Sequence, residues 1–192
     1  MNNIKIFFMV FFLSMTLSTH AKPIFLGDSI TYQIVNSYKK HRPVDAEYLV
    51  GSGLNNQFNF SWIEYAKTLD VSRYECVYLL LGTNDFIENN EIVNYRNKAI
   101  DLIRELKKKN RDIIWILPPT IRNERKNFLL NNTREAIKLA AVTEQITTID
   151  MRETFGQHYM DSLNGRAIRT NDGIHITEYG ADVFTQIHFI NL

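Results

Sequence analysis

Short, continuous runs of apolar residues alternate with amphipathic segments from Pro23 to the end of the chain. Within the runs, polar residues do not recur at every second position, which is typical of strands covered on both faces in a parallel sheet. The runs predict five strands, at residues 24–27, 47–50, 75–81, 113–117 and 147–149. Because a helical pattern follows each run, we predict five βα units and an α/β fold with a doubly wound sheet.

The helical segments between these runs are amphipathic. Residues 93–109 carry one apolar stripe, and three lysines at its end complement the negative pole of the helix dipole. A second helix is predicted at residues 127–143, and a third begins after Thr177, which suits a helix N-cap. Ligands of such sheets bind beyond the carboxyl ends of the strands, so we expect candidate chemistry in the loops that follow them.

The N-terminal residues have the pattern of a targeting segment. Lys5 precedes an apolar stretch at residues 6–17, and a small-residue site ending at Ala21 follows. The stretch is shorter than the ~20 residues of a membrane-spanning helix, so we interpret residues 1–21 as a signal peptide cleaved after Ala21. We therefore expect a secreted or periplasmic protein with one domain at residues 22–192 and no stable membrane span; an uncleaved N-terminal anchor is the alternative.

Composition narrows the class of protein without identifying it. The 192 residues are 45% hydrophobic and 22% charged, which is typical of an ordinary globular chain. The formal net charge of +1 gives no basic field of the kind that nucleic-acid binding requires, so no nucleic-acid partner is expected. The single cysteine, Cys76, has no partner for an intramolecular disulfide.

Gly27-Asp28-Ser29 follows the first predicted strand. A glycine permits a sharp turn, and Ser29 would then begin a helix, where free backbone N–H groups and the helix dipole stabilise developing negative charge. Ser29 is therefore a candidate nucleophile. The alternative is that Ser29 only caps the helix.

A second polar turn, Gly82-Thr83-Asn84-Asp85, follows the third predicted strand. The amide of Asn84 can project over the edge of the sheet as a hydrogen-bond donor, which is what an oxyanion hole requires. The alternative is an ordinary turn, since asparagine and aspartate are common turn residues after a strand.

A third pattern lies before the last predicted helix, where Asp172 precedes His175 by three residues. Such a carboxylate can orient an imidazole through one ring nitrogen while the other nitrogen faces a nucleophile. A metal-binding pair is the alternative, but the sequence offers no matching set of further ligands, so no metal is predicted.

In this order, the three patterns resemble the SGNH (GDSL-like) hydrolase superfamily, and the Ser52-Gly53-Leu54 motif resembles an extracytoplasmic bacterial branch of it. The resemblance implies a flavodoxin-like three-layer α/β/α sandwich with a five-stranded parallel sheet. It also implies a serine hydrolase that requires no cofactor.

The resemblance further assigns roles to residues of this chain. Ser29 would be the nucleophile, with His175 as general base and Asp172 as its orienting carboxylate. The oxyanion hole would consist of the Ser29 N–H, the Gly53 N–H and the Asn84 amide. Gly51 is the other candidate for the glycine of the oxyanion hole.

These assignments predict a serine esterase that works through an acyl-enzyme on a small-molecule or saccharide ester. The loops after the second, third and fourth predicted strands are rich in Asn, Gln, Asp and Arg. They favour a short acyl group, acetyl first, on a glycan or cell-envelope saccharide. The alternatives are a lysophospholipase or thioesterase, an O-acyltransferase with the same triad, and a non-catalytic envelope-binding module. The sequence predicts no oligomeric state.

Overall fold

The computed structural model describes residues 21–55 and 59–191. At its centre lies a parallel sheet of five strands: β1 (Ile24–Gly27), β2 (Asp45–Tyr48), β3 (Val77–Leu80), β4 (Ile113–Leu117) and β5 (Thr147–Asp150). The strand order is β2-β1-β3-β4-β5, and each neighbouring pair is parallel. This arrangement confirms the predicted α/β fold with a five-stranded parallel sheet.

Helices connect the strands and follow the last of them. They are α1 (Ser29–Tyr38), α2 (Trp62–Thr68), α3 (Ile92–Lys107), α4 (Glu124–Glu144), α5 (Arg152–Phe155) and α6 (Glu178–Thr185). A 3₁₀ turn at Asn89–Glu91 precedes α3, and a π-helical turn at Gln186–Ile190 follows α6. A short antiparallel hairpin of β6 (Ser162–Leu163) and β7 (Arg166–Ala167) lies between α5 and α6.

Two hydrophobic cores fill the space on either side of the sheet. Because successive side chains of a strand point to opposite faces, Leu26 and Trp115 pack with α2, α3 and α4, whereas Phe25 and Ile116 pack with α1 and α6. The helices therefore cover both faces, as the three-layer sandwich requires.

The bounds of several elements differ from the predicted ones. Strand β2 was predicted at residues 47–50 but lies at Asp45–Tyr48, because it pairs with β1 from Ile24 to Gly27 and ends where β1 ends. Strand β3 was predicted at residues 75–81 but spans Val77–Leu80, the residues that pair with β1. Helix α4 begins three residues before the predicted position, since the Asn123 side chain caps it by accepting from Lys126 N at 2.9 Å.

Of the predicted signal peptide, only Ala21 falls within the described residues, so cleavage after Ala21 stays a prediction. Among the helices of the described part of the chain, none has both the length and the apolar character needed to cross a membrane.

Candidate active site

The turn between β1 and α1 presents Ser29 at the first position of a helix. Gly27 is required there because a Cβ atom would lie 2.2 Å from Leu80 O and 2.5 Å from Thr31 Oγ1. The absence of a side chain at Gly27 lets the end of β1 pack closely against β3, and Ser29 then starts α1 at the carboxyl edge of the sheet. Its backbone N–H is one of those that a helix leaves without an intrahelical partner.

Asp28, beside the candidate nucleophile Ser29, is fully buried and joins two loops. Its Oδ1 accepts from Ile30 N at 3.0 Å and so caps α1, while its Oδ2 accepts from Thr83 N at 3.3 Å. Burial raises the pKa of Asp28 to about 7, against the opposing effect of the hydrogen bonds from Ile30 and Thr83. The Ser29 turn is thereby fixed to the loop that carries Asn84.

Ser29, His175 and Asp172 form a connected chain of hydrogen bonds. Ser29 Oγ lies 2.8 Å from His175 Nε2, and His175 Nδ1 lies 2.7 Å from Asp172 Oδ2. An ionised carboxylate can only accept, so Nδ1 carries the ring proton and Nε2 is left to accept from the Ser29 hydroxyl. This is the arrangement in which an imidazole can remove the proton of a serine.

The Asp172 carboxylate is held in its charged form by several donors. Its Oδ1 accepts from Thr170 Oγ1 at 2.7 Å, from Ile174 N at 2.8 Å and from His175 N at 3.0 Å. Burial acts to raise the pKa of Asp172, but the hydrogen bonds from Thr170, His175 and Ile174 outweigh it and hold that pKa well below its usual value. Asp172 therefore stays ionised and orients His175 at any pH near neutrality.

Two arginines support the loop that carries Asp172 and His175. Arg122 donates through its backbone N–H to Gly173 O at 2.9 Å and through Nη1 to Asn171 O at 2.9 Å. Gly173 has a φ of 72°, and a Cβ atom there would lie 2.5 Å from Arg122 Cβ. Arg169 donates through Nη2 to Ile174 O at 2.6 Å, and burial lowers its pKa to about 10, which leaves it charged at neutral pH.

Asn84 and Asp85 connect the loop after β3 to the loop after β2. Asn84 Nδ2 donates to Ser52 O at 2.9 Å. The fully buried Asp85 accepts from Leu54 N at 2.8 Å and from Tyr95 Oη at 2.7 Å. Burial raises the pKa of Asp85, and the hydrogen bonds from Tyr95 and Leu54 oppose that rise.

The two glycines of the loop after β2 have different structural roles. Gly51 has a φ of 77°, which favours glycine at a turn. Gly53 is buried, and a Cβ atom there would lie 2.2 Å from Asp85 Oδ1, so only glycine fits against this carboxylate. The close packing of Gly53 on the Asn84–Asp85 turn favours Gly53 over Gly51 as the oxyanion glycine, an assignment that stays a prediction.

A cleft of about 470 Å³ opens beside Ser29 and His175. Its walls include Tyr32, Tyr48 and Val50, so apolar groups lie directly beside the candidate nucleophile. The polar composition of the loops in the sequence did not indicate this apolar surface. A signal for it was Tyr32, which lies three residues after Ser29 and therefore on the same side of the predicted helix. Within residues 21–55 and 59–191, no group of three or more His, Cys, Asp or Glu side chains is placed to hold a metal ion.

The structure thus brings Ser29, His175 and Asp172 into contact and joins the loops of Gly53 and Asn84 to the Ser29 turn. Sequence reasoning missed the joining residues themselves, Asp28 and Asp85. Their polar turns were visible in the sequence, but their burial depends on the packing of three separate loops against one another.

Comparisons with known proteins agree with this architecture. A family model described as "Protein of unknown function (DUF459)" matches residues 24–189. No match was found among curated protein sequences.

Solved structures of the GDSL type are similar to the chain. A member of the lipolytic protein G-D-S-L family from Veillonella parvula DSM 2008 has a TM-score of 0.65 at 16% identity, over 88% of this chain and 98% of that one. An acetyl xylan esterase has a TM-score of 0.60 at 18% identity, over 86% and 96%. A peptidoglycan O-acetylesterase has a TM-score of 0.63 at 19% identity, over 75% and 44%. The likeness confirms the SGNH hydrolase fold that the resemblance implied.

Proposed function

The chain belongs to the family described as protein of unknown function (DUF459), and we propose that it is an exported serine esterase. It hydrolyses short acyl esters, acetyl first, on a glycan or cell-envelope saccharide, and it does so through an acyl-enzyme on Ser29. We call ester hydrolysis by this chain the coarse proposal, and the choice of an acetylated saccharide as the substrate the finer proposal.

One observation carries the coarse proposal: the 2.8 Å contact of Ser29 Oγ with His175 Nε2, continued by the 2.7 Å contact of His175 Nδ1 with Asp172 Oδ2. A serine is a weak nucleophile unless a base is positioned to take its proton. A serine that only capped the helix would need neither an imidazole at its hydroxyl nor a carboxylate behind that imidazole. In α1 the capping role falls to Asp28.

In the first half of the reaction, Ser29 Oγ attacks the ester carbonyl carbon while His175 Nε2 takes the hydroxyl proton. The carbonyl oxygen becomes an oxyanion, for which we assign the Ser29 N–H, the Gly53 N–H and the Asn84 amide as donors. The tetrahedral intermediate then collapses: the bond to the alcohol oxygen breaks, His175 returns its proton to that oxygen, and the acyl group stays on Ser29.

In the second half, His175 takes a proton from water while the water oxygen attacks the acyl carbon. Collapse of the second intermediate releases the carboxylic acid and returns the proton to Ser29. Throughout, the Asp172 carboxylate stabilises the imidazolium that forms when His175 is protonated.

The finer proposal rests on the polar composition of the loops that follow the second, third and fourth strands in the sequence. It also rests on two of the similar structures, which are an acetyl xylan esterase and a peptidoglycan O-acetylesterase. Both of those names specify an acetyl group on a saccharide. Export rests on the sequence of residues 1–21, and mass spectrometry of protein recovered from outside the cytoplasm should give an N-terminus at Lys22.

The coarse proposal is tested by reaction with a fluorophosphonate probe, which labels an activated serine covalently. We expect labelling of the intact protein at Ser29, identified by peptide mass spectrometry, and no labelling of the Ser29→Ala variant. Ser37→Ala is the matched control, because Ser37 lies on the same helix and its hydroxyl donates to the Asp182 carboxylate instead of to an imidazole. Failure of the folded protein to react, or labelling that persists in Ser29→Ala, would contradict the proposal.

The finer proposal is tested by kcat/KM on p-nitrophenyl esters from acetyl to palmitoyl and on O-acetylated oligosaccharides. We expect the acetyl esters to be the best substrates. Highest efficiency on octanoyl or longer chains, without activity on the saccharides, would favour a lipase instead. A net transfer of the acyl group to an added saccharide in place of water would identify an acyltransferase.

A further inference from the structure

The cleft beside Ser29 has two walls of different chemistry. One wall carries the exposed side chains of Tyr32, Tyr48 and Val50, whose exposed fractions are 48%, 42% and 64%. The other wall is the loop of Thr170 and His175. A contiguous apolar surface of this kind, next to a candidate nucleophile, is a common feature of ligand sites.

The position of His175 decides which part of an ester this cleft takes. In the proposed reaction His175 Nε2 delivers its proton to the leaving alcohol, so the alcohol must lie on the His175 side of the scissile bond. The cleft is on that side, since Thr170, Asp172, His175 and Ile176 form part of its lining. Gly53 and Asn84, the assigned oxyanion donors, are not among the described residues that line it.

We propose that Tyr32 and Tyr48 form a subsite for a pyranose ring of the ester's alcohol part, and this inference rests on the proposed function. The C–H groups of a pyranose ring project from its faces and its hydroxyls from its edge. A tyrosine ring offers an apolar face with a polar tip, which suits both parts of the sugar. Gln33 and Thr170 supply further hydrogen-bonding groups at the cleft.

The placement of the two rings fits this role. Tyr32 lies three residues after Ser29 on α1 and therefore on the same side of the helix as the nucleophile. Tyr48 ends β2, and its ring centroid lies 5.9 Å from that of Tyr32 at an interplanar angle of 55°. The two faces thus form an angled platform beside the nucleophile instead of stacking on each other.

The aromatic surface continues beyond the proposed subsite of Tyr32 and Tyr48. Tyr48 also lines a second cavity of about 230 Å³, together with the aromatic side chains of Phe60 and Tyr65. An oligosaccharide needs such a series of aromatic contacts along an open surface. A long acyl chain needs an enclosed apolar groove on the acyl side of the scissile bond, whereas Tyr32 and Tyr48 are about half exposed and lie on the alcohol side.

The decisive experiment measures binding separately from catalysis. Ser29→Ala protein would be titrated with O-acetylated xylobiose and followed by amide chemical shifts. We expect saturable shifts, with Kd about tenfold higher when Tyr32→Ala is added, because the apolar contact with the ring is lost. Tyr32→Phe, which keeps the ring, should stay within about twofold. Phe128→Ala is the control, an exposed ring that lines a different cavity.

In the catalytically intact protein, Tyr32→Ala should raise KM for the acetylated saccharide and lower its kcat/KM relative to ethyl acetate, whose alcohol carries no ring. Loss confined to octanoyl esters, with saccharide binding unchanged, would overturn the proposal and make the cleft an acyl site. Absence of saccharide binding in a protein that hydrolyses p-nitrophenyl acetate would overturn it while leaving the esterase intact. Tyr32-dependent binding in a protein that hydrolyses no ester would refute the proposed function and keep the subsite.

Discussion

On the nucleophile side of the candidate site, two fully buried carboxylates, Asp28 and Asp85, join the three loops that carry Ser29, Gly53 and Asn84. On the base side, the side chains of Asp172 and His175 are 47% and 38% exposed. That side consists of one short turn, whose shape comes from hydrogen bonds to Asp172 and from two arginines that hold its carbonyls.

The two sides should therefore respond differently to substitution. A buried carboxylate loses hydration, so its removal alters the free energy of unfolding. An exposed residue in a surface turn contributes little to stability, so its replacement should act on turnover alone. Substitutions on the two sides test this division.

His175→Ala should lower kcat/KM for p-nitrophenyl acetate by about 10⁴-fold or more, because Ser29 loses its base. The midpoint of thermal unfolding should stay within a few degrees of the wild-type value, since the side chain is 38% exposed. His158→Ala, at an exposed histidine outside the candidate triad, is the control. Adding Ser29→Ala should lower the activity little further, and fully additive losses would show that the two residues do not act as a unit.

Asp28→Asn should change how stability depends on pH. Burial raises the pKa of Asp28 from 3.8 to about 7, so between these values the folded state holds a proton that the unfolded state releases. The contribution of Asp28 to the free energy of unfolding is therefore full below pH 3.8 and is lost as the pH rises to about 7.

The variant lacks this titration, and its asparagine keeps an oxygen to cap α1. The free energy of unfolding of the wild type, relative to Asp28→Asn, should thus decrease from pH 4 to pH 7 by at most about 4 kcal/mol. Urea denaturation across this range gives the free energy of unfolding of each protein as a function of pH. Parallel curves would show that Asp28 is ionised in both states.

Asp85→Ala should lower the free energy of unfolding by about 3 kcal/mol, because Leu54 N, Asn55 N and Tyr95 Oη lose their common acceptor. Activity should fall as well, since Leu54 follows the assigned oxyanion glycine. Asp101→Ala, at an exposed aspartate on α3, is the matched control. A stable variant with intact turnover would mean that the loop after β2 keeps its shape without this carboxylate.

The sequence predicted the sheet and the candidate triad because both depend on local patterns. Continuous apolar runs indicate covered strands, and Ser29, Asp172 and His175 each stand in a short motif at a predicted strand or helix end. The bounds of β2 were wrong by two residues, since the length of an edge strand depends on its pairing with β1 and not on its own hydrophobicity.

The supporting groups could not be predicted in the same way. Asp28 and Asp85 look like ordinary turn residues, and their burial results from loops far apart in sequence. The apolar wall of the cleft combines Tyr32 from α1 with Tyr48 from β2, which become neighbours only in the fold. Local sequence therefore indicates the candidate reacting groups, whereas long-range packing decides what holds them and what they face.

Asn84→Ala should lower kcat by about 100-fold with a smaller change in KM, as expected for a donor used chiefly in the transition state. Its Nδ2 also donates to Ser52 O, so a modest loss of stability should accompany the effect. Steady-state kinetics and thermal unfolding separate the two. A folded variant with unchanged kcat would identify Gly82-Thr83-Asn84-Asp85 as a turn without a role in the oxyanion hole.

Thr170→Val should give the smallest effect, about a tenfold loss of kcat. Thr170 Oγ1 donates to Asp172 Oδ1 at 2.7 Å, and this hydrogen bond helps to hold the pKa of Asp172 down. Without this hydrogen bond, Asp172 still accepts from Ile174 N and His175 N. The turn should therefore keep its shape, and His175 should keep the Asp172 carboxylate as its partner. The loss should therefore appear in kcat and not in the midpoint of unfolding, and Thr170→Ser, which keeps the hydroxyl, should restore most of the activity. If Thr170→Val instead unfolds at a much lower temperature than wild type, the base side depends on buried structure as the nucleophile side does, and the distinction between the two halves is lost.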